Sequence, residues 1–137
     1  MDVPDVLKIN TIEFLKARYF RCLDTKDWST FESTLADDVE VDHEALAGPK
    51  ANGRANYVTR AQSDYDGAKT VHHGHMPEIR LTSANTAEGT WAMQVLTVKA
   101  NGRRVLAFGH HRDSYAIRDG QWRITSTKAT RLQLDES

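Results

Sequence analysis

The hydrophobic pattern of this chain changes its period near residue 69, and that change limits the possible folds more than any other feature of the sequence. Before this point, apolar residues recur every three or four positions, as they do on amphipathic helices. After it come four extended segments, and two of the breaks between them are Asn101-Gly102 and Asp119-Gly120, which favour tight hairpin turns. Helices followed by a run of antiparallel strands predict an α+β fold, with the helices packed on one face of a sheet.

Three helices are predicted in the first half of the chain. Residues 6–26 form the first, and its apolar stripe consists of Ile12, Leu15, Tyr19 and Leu23. Asp27 is placed to cap a second helix that begins at Trp28. A short strand follows, in which Val39 and Val41 alternate, and residues 53–65 form a short third helix. A long bent sheet wrapped over such helices makes a cone, and the mouth of a cone is a natural pocket.

Composition and charge narrow the class of protein. With 137 residues, 39% of them hydrophobic and 27% charged, the chain is expected to form one globular domain over residues 1–137. Its formal net charge of −1 provides no basic surface for nucleic acid or an anionic membrane. No apolar run is long enough to span a bilayer. The single cysteine and the acidic N-terminus without a signal core predict a cytoplasmic protein.

The segment "TVHHGHMPEIRLTS", residues 70–83, contains three histidines in four positions. Pro77 predicts that this strand lies at an edge or carries a bulge. Because side chains alternate along a strand, His73 and His75 should face away from His72, unless a bulge at Gly74 breaks the alternation. We expect two half-buried or interfacial histidines and no metal site, since the spaced partner ligands of a zinc site are missing.

Alternation in the next two strands predicts the wall of a pocket. Trp91, Met93 and Val95 share one face and form an apolar wall. On the following strand His111 shares a face with Ala107 and Gly109, whose small side chains would leave room for a ligand. His111 could therefore face the pocket or be a histidine that packs in the sheet, and Phe108 is a further candidate for contact with the substrate.

The order of elements, with the segments "YFRCLDTKDW", "HHGHMPEIRL", "NTAEGTW" and "DSYAIRDGQWRI", resembles the SnoaL-like branch of the nuclear transport factor 2-like superfamily over nearly the whole chain. Within it the pattern is most similar to bile acid 7α-dehydratases, and more distantly to scytalone dehydratase and hexachlorocyclohexane dehydrochlorinase. The resemblance implies a cone-shaped α+β barrel with N-terminal helices packed on a strongly bent antiparallel sheet. It also implies a hydrophobic small-molecule substrate, no metal or organic cofactor, and a homo-oligomer, more often a trimer than a dimer.

The same resemblance implies site residues. The dehydratases use a tyrosine on the first helix, an aspartate five residues later and a histidine on a following strand, and Tyr19, Asp24 and His72 stand at the matching positions. A cationic residue near the end of the last strand of the bile acid enzymes matches Arg131, which would bind an anionic end of the substrate. An acidic residue of those enzymes is replaced by Val95, so the chain lacks that carboxylate.

The chemistry of these groups suits proton removal from carbon. An imidazole can take a proton and return it near neutral pH, so His72 is the candidate general base, while Asp24 would accept a hydrogen bond from the far ring nitrogen. Tyr19 could donate to an oxyanion. A five-residue step turns an ideal helix by about 140°, so Tyr19 and Asp24 share a pocket only if the helix ends near Leu23. The structural alternative is that Asp24 caps the next helix and that His72 and Tyr19 belong to the core.

Three functions remain open from the sequence. The first is a cofactor-independent lyase that eliminates water or another leaving group from a steroid-like or polycyclic compound. The proton for the leaving group could come from the imidazolium of His72, the Tyr19 hydroxyl or His111, and we hypothesise that His111 replaces the missing carboxylate. The second is an isomerase or cyclase that uses the same His-Asp pair. The third is a non-catalytic module that binds lipophilic ligands, because this fold also serves such roles.

Overall fold

The computed structural model describes residues 2–137, which form helices packed on a single six-stranded sheet. The helices are α1 (Val3–Thr25), α2 (Trp28–Ser33) and α3 (Arg54–Asp64), with a 3-10 turn at Glu44–Leu46. The strands are β1 (Leu35–Asp42), β2 (Lys50–Asn52), β3 (Lys69–Leu81), β4 (Thr86–Val98), β5 (Arg104–Arg118) and β6 (Gln121–Glu136). The predicted α+β arrangement, helices first and long strands after them, is confirmed.

The sheet is curved and open, with strand order β2-β1-β6-β5-β4-β3. The four long strands β3 to β6 form an antiparallel meander, whereas β1 pairs with β6 in parallel. Within the described residues, β2 and β3 are edge strands that do not pair with each other, so the bent sheet that we expected is open between them. The open edge at β3 is where α1 comes closest to the sheet.

The turns follow the glycine signals in the sequence. Asp119 and Gly120, between β5 and β6, both adopt positive φ, at 52° and 78°, as the tight hairpin requires. Gly102, between β4 and β5, has φ 85°. The irregularity of β3 lies between His75 and Glu78. Pro77 therefore marks both an edge strand and a bulge, as predicted, although the bulge is not at Gly74.

Helix α1 determines where the site lies. Asp2 caps its start by accepting the backbone N–H of Asp5 at 2.9 Å, and Lys26 ends it in a left-handed conformation with φ 59°. The Nζ atom of Lys26 donates to the carbonyl of Ala68 at 2.6 Å, which ties this end of the helix to the start of β3. The last turn of α1 is thereby held against the first residues of the edge strand.

The core lies between the helices and the inner face of the sheet. Inner-face residues of β4 and β5 alternate regularly with more exposed ones, as a sheet covered on one side requires. The largest completely buried apolar and aromatic side chains are Ile12, Tyr19, Phe31, Leu35, Val39, Tyr57 and Ile124. This core also contains charged and polar side chains, which are described with the site below.

Candidate active site

Asp24 and His72 form a closely bonded pair where the last turn of α1 meets β3. His72 Nδ1 lies 2.6 Å from Asp24 Oδ1, and the backbone N–H of His72 donates to Asp24 Oδ2 at 2.8 Å. Thr70 Oγ1 donates to Asp24 Oδ1 at 3.0 Å. An ionised carboxylate only accepts hydrogen bonds, so Nδ1 of His72 carries a proton and Nε2 of the neutral ring is the basic nitrogen.

This geometry excludes the alternative role for Asp24. The second helix is capped by Asp27, whose side chain accepts the backbone N–H of Thr30 at 3.4 Å. Asp24 belongs to α1 and is bonded to β3 through both of its carboxylate oxygens. The carboxylate therefore fixes the tautomer and the orientation of the imidazole, and it would stabilise an imidazolium as it forms.

His72 lies at a largely apolar groove between α1 and β3, with a volume of about 610 Å³ and an opening to solvent. The ring of Phe20 lies nearly parallel to the imidazole, with 6.4 Å between centroids and 11° between planes. Trp91 meets Phe20 edge to face at 6.0 Å. The other lining residues are Glu13, Phe14, Ala17, His73, Gly74, His75, Met76 and Pro77. The groove is large enough for a ligand of several rings.

Gly74 lets both aromatic walls approach the edge strand. A Cβ atom at this position would collide with the ring of Phe20 and would lie 3.1 Å from Cε3 of Trp91. The glycine is thus required by close packing rather than by a bulge. The neighbouring His73 and His75 are exposed while His72 is buried, as strand alternation predicts. They are therefore not half-buried, and the alternative that they lie at an interface stays a prediction.

Tyr19 is not brought to this groove. Its hydroxyl lies 2.6 Å from the hydroxyl of Tyr57, and its side chain is completely buried. Burial, together with Tyr57, raises the pKa of Tyr19 well above its ordinary value. The physical reason is that α1 continues to Thr25 rather than ending near Leu23, so the five-residue step separates Tyr19 from Asp24 in direction.

Tyr65 is a neighbour of His72 that the sequence reasoning missed. It follows α3 directly, it is buried, and its ring lies edge to face with His72 at 6.3 Å between centroids. Burial raises the pKa of Tyr65 above its ordinary value, so its hydroxyl stays protonated near neutral pH. Its position just before the histidine strand was the available signal, because a residue that ends a helix before a strand lies close to the start of that strand.

His111 is on the inner face of the sheet, but it is buried against α1 instead of facing the groove. Its Nδ1 lies 3.2 Å from Nζ of Lys16, and its ring stacks on His43 at 4.2 Å. Burial, with the charges of His43 and Lys16, lowers the pKa of His111 well below its ordinary value. A neutral imidazole that accepts a hydrogen bond from an ammonium group is a poor acid, so the structure does not support His111 as the donor to a leaving group.

The predicted apolar wall is brought together only in part. Trp91 lines the groove, while Met93 and Val95 are buried on the same face, and Val95 is paired with His72 across β3 and β4. Phe108 is opposite Gln94 on the other face of the sheet, where it is half-buried. The structure therefore does not bring Phe108 to the site, since it alternates with the inner-face residues Ala107 and Gly109.

Arg131 is also distant from the groove. It lies on β6, which β4 and β5 separate from β3, and its side chain is exposed. Its Nε donates to the carbonyl of Ala45 in the 3-10 turn at 2.7 Å. The described residues that line the groove include Glu13 but no lysine or arginine, so the groove offers no cation to an anionic end of a substrate.

Behind the groove lies a buried polar cluster that the sequence reasoning also missed. Lys16 Nζ lies 2.7 Å from Asp113 Oδ2, and both side chains are completely buried. His43 extends the cluster through Thr127, with 2.8 Å between Nε2 and Oγ1. The available signal was Lys16 itself, because it is a charged residue at a helical step from Ile12 and Tyr19 on the apolar stripe.

Two further features concern cofactors and membranes. Over residues 2–137, no group of three or more His, Cys, Asp or Glu side chains is arranged to hold a metal ion. None of the helices in the described part of the chain is long and apolar enough to cross a membrane.

Solved structures share this fold over the whole chain. A candidate scytalone dehydratase from Novosphingobium aromaticivorans superposes with a TM-score of 0.88 at 19% identity, covering 100% of this chain and 92% of that one. A type 2 hexachlorocyclohexane dehydrochlorinase gives 0.86 at 17% identity, with 100% and 93% covered. The type 3 dehydrochlorinase from Novosphingobium barchaimii gives 0.83 at 16%, with 100% and 94% covered. At these identities the similarity establishes the fold alone.

The sequence itself matches a family model. The model describes a SnoaL-like domain, and it matches residues 4–128, which run from the first turn of α1 into β6. The match includes Asp24, His72 and every residue that lines the groove. The chain therefore belongs to the family of SnoaL-like domains.

Proposed function

We propose that the chain is a cofactor-independent lyase that removes a proton from carbon and expels a leaving group from an apolar ring compound. The observation that carries this proposal is the Asp24–His72 pair at an apolar groove, with Nδ1 of the imidazole bonded to the carboxylate at 2.6 Å. The names of the dehydratase and the dehydrochlorinases with the same fold support an elimination.

In the first step, Nε2 of His72 takes a proton from a carbon next to an electron-withdrawing group. Asp24 balances the positive charge that develops on the ring, and the electron pair left on carbon forms the double bond as the leaving group departs. Assistance of this kind is typically worth about a hundred- to ten-thousand-fold in rate. Tyr65, which is beside the imidazole, is placed to hold the ring against Phe20.

The leaving group limits the possible reactions. Val95 occupies the position directly across the strand pair from His72, and His111 is a neutral acceptor for Lys16. Either the imidazolium of His72 returns its proton to the leaving oxygen on the same face of the substrate, or the leaving group departs without a proton, as a halide does. Because neither Val95 nor His111 can serve as the acid, an isomerase or cyclase is the second candidate, in which His72 alone moves a proton between two carbons.

The groove favours a neutral, flat substrate of more than one ring, such as a steroid-like or polycyclic compound. Phe14, Phe20 and Trp91 offer ring faces and edges, and Glu13 would oppose an anionic group at this position. This departs from the expected role of Arg131, since a carboxylate end of the substrate would find no cation in the groove.

We further propose that the chain is a cytoplasmic homo-oligomer, most often a trimer, with the exposed His73 and His75 available at the edge strand.

The test is a turnover screen with the purified protein on hydroxylated ring ketones, halogenated rings and β,γ-unsaturated ring ketones. Loss of a hydroxyl or halide, abolished in His72→Ala, would support the lyase. Movement of a double bond without loss of a group would indicate the isomerase. Binding of such compounds with no turnover of any of them, and no effect of His72→Ala, would instead identify a lipophilic binding module.

A further inference from the structure

Lys16 is the centre of a set of contacts that the proposed chemistry does not use. Its ammonium group lies 2.7 Å from Asp113 Oδ2 and 3.2 Å from His111 Nδ1. The same nitrogen lies 4.9 Å from the centre of the Phe20 ring, within the range of a cation–π contact. The charged end of Lys16 therefore stabilises one particular position of Phe20, a wall of the groove.

The partner of Lys16 is linked to the second aromatic wall. The hydroxyl of Tyr115 donates to Asp113 Oδ2 at 2.7 Å and accepts the indole N–H of Trp91 at 2.9 Å. All of these side chains are buried. Asp113 Oδ1 has no hydrogen-bond partner within residues 2–137, so a single carboxylate oxygen receives both the ammonium and the phenol. The orientation of the Trp91 ring thus depends on the ion pair through one hydroxyl.

The two branches meet at the groove. Phe20 and Trp91 are in edge-to-face contact at 6.0 Å, and Phe20 is nearly parallel to the imidazole of His72. Gly74 provides the room in which both rings approach β3. Burying an ion pair costs free energy that an apolar pair of similar size would avoid, so stability alone is a weak reason for such a pair. Holding the rings of Phe20 and Trp91 in one arrangement would be a role for the Lys16–Asp113 pair other than stability.

We propose that the buried Lys16–Asp113 pair is a positioning device that fixes Phe20 and Trp91 and thereby selects flat ring substrates over flexible chains. The proposal rests on the groove being the substrate site, as in the proposed function. Lys16 and Asp113 are positioning residues that act on the substrate only through the two rings. A fixed edge-to-face pair presents a slot of constant shape to a rigid ligand, whereas mobile rings accommodate a flexible chain equally well.

The variant that tests this proposal is Tyr115→Phe, which removes one oxygen atom and keeps the ring. The first measurement is the indole N–H signal of Trp91 in a ¹H–¹⁵N spectrum, which should shift on loss of its acceptor. The second is the affinity for two neutral probes, the planar steroid equilenin and the flexible decan-1-ol. We expect the unmodified protein to prefer equilenin. We expect Tyr115→Phe to lose at least about tenfold in affinity for equilenin and less than about twofold for decan-1-ol, since only the orientation of the ring has changed.

Tyr57→Phe is the matched control, because it also removes a buried, hydrogen-bonded hydroxyl but leaves the contacts of Trp91 in place. It should leave the Trp91 signal and the ratio of the two affinities unchanged. If Tyr115→Phe does not fold, Trp91→Phe removes the same hydrogen bond and should lower the ratio in the same direction. An equal loss of equilenin affinity in Tyr57→Phe, an unchanged ratio in Tyr115→Phe despite a shifted signal, or no preference for equilenin in the unmodified protein would overturn the proposal.

The affinity ratio and the turnover screen, both measured on the unmodified protein, separate this inference from the proposed function. The contacts of the ion pair with the two rings do not depend on catalysis. A preference for equilenin that Tyr115→Phe lowers, in a protein that turns over none of the screened compounds, would leave the positioning role standing while the lyase proposal fails. Turnover that depends on His72 without any preference for flat ligands would give the opposite result.

Discussion

His72 is bonded to Asp24 twice, through its ring nitrogen and through its own backbone N–H, although 48 positions separate the two residues in the sequence. The ring bond, at 2.6 Å, is the shorter of the two, and the backbone bond, at 2.8 Å, holds the strand at the same carboxylate. One carboxylate therefore fixes both the position of the strand and the tautomer of the imidazole. A variant that removes the imidazole breaks the ring bond but keeps the backbone bond, so its effect on turnover can be measured apart from its effect on stability.

The substitution His72→Ala should abolish turnover and change the melting temperature by only a few degrees. The backbone N–H of residue 72 and the hydroxyl of Thr70 still reach Asp24 in this variant, so the strand remains attached to α1. Turnover of the substrate found in the screen and a thermal melt are the two measurements. A loss of stability in proportion to the loss of activity would instead assign His72 to the core.

Asp24→Asn should preserve the fold and reduce kcat by about a hundred- to ten-thousand-fold. The amide can donate to the imidazole and so hold the wrong tautomer, and it carries no charge to balance an imidazolium. Asp27→Asn is the control, because asparagine caps a helix as well as aspartate does and Asp27 touches neither His72 nor the groove. A nearly unchanged rate in Asp24→Asn would remove the carboxylate from the mechanism.

Much of the fold follows from local signals that act over a few residues. The apolar stripe of the first helix, the cap at Asp27 and the glycine turns after Asn101 and Asp119 all act locally and were predicted. The Asp24–His72 pair was predicted from the spacing of a family pattern. Pro77 indicated that β3 is an edge strand, whereas the gap between β2 and β3 depends on the summed curvature of all six strands, which no local signal carries.

The other wrong expectations concern the directions in which single side chains point. Tyr19 points to Tyr57 because α1 continues past Leu23 to Thr25, close to the predicted end at residue 26, so the helical pattern itself argued against the shared pocket that the family spacing implied. Strand alternation correctly predicted that His111 lies on the inner face of the sheet. It could not show that Lys16 of α1 lies opposite and forms a hydrogen bond with Nδ1 of the imidazole. Which groups meet across a core depends on the packing angle of a helix on a sheet.

His111→Phe should change stability rather than the handling of the leaving group. The ring of His111 accepts from Lys16 in a buried cluster, so its removal leaves part of an ammonium unsatisfied, at a cost of about 1–3 kcal/mol. No proton donor is lost in this variant. The ratio of the rates for a hydroxyl and a halide leaving group should therefore stay within about twofold of the ratio in the unmodified protein. A selective slowing of hydroxyl loss would restore His111 as the acid.

The stacked pair His43 and His111 should make the protein sensitive to mild acid. Burial, followed for His111 by the charge of its neighbour His43 and for both by the charge of Lys16, lowers both pKa values well below the ordinary value of 6.5. Both rings therefore stay neutral in the folded state at a pH where the unfolded chain has already protonated them. The groups that face them are Lys16 and its partner Asp113, with Tyr57 and Thr127 beside His43.

The direction of the effect follows from the count of bound protons. Below about pH 6.5 the unfolded chain binds up to two more protons than the native protein, so the free energy of unfolding rises with pH in that range. The stabilisation is fully present above about pH 6.5 and is lost as the pH falls below it, with a limiting slope of about 2.7 kcal/mol per pH unit for two protons. Denaturant unfolding between about pH 5.5 and 8 measures this slope before most carboxylates titrate. His111→Phe should roughly halve this slope, whereas Tyr57→Phe, which lies beside His43 but removes no group that titrates in this range, should leave the slope close to that of the unmodified protein. A free energy of unfolding that is constant over this range would mean that the two buried rings take up protons as readily as they do in the unfolded chain.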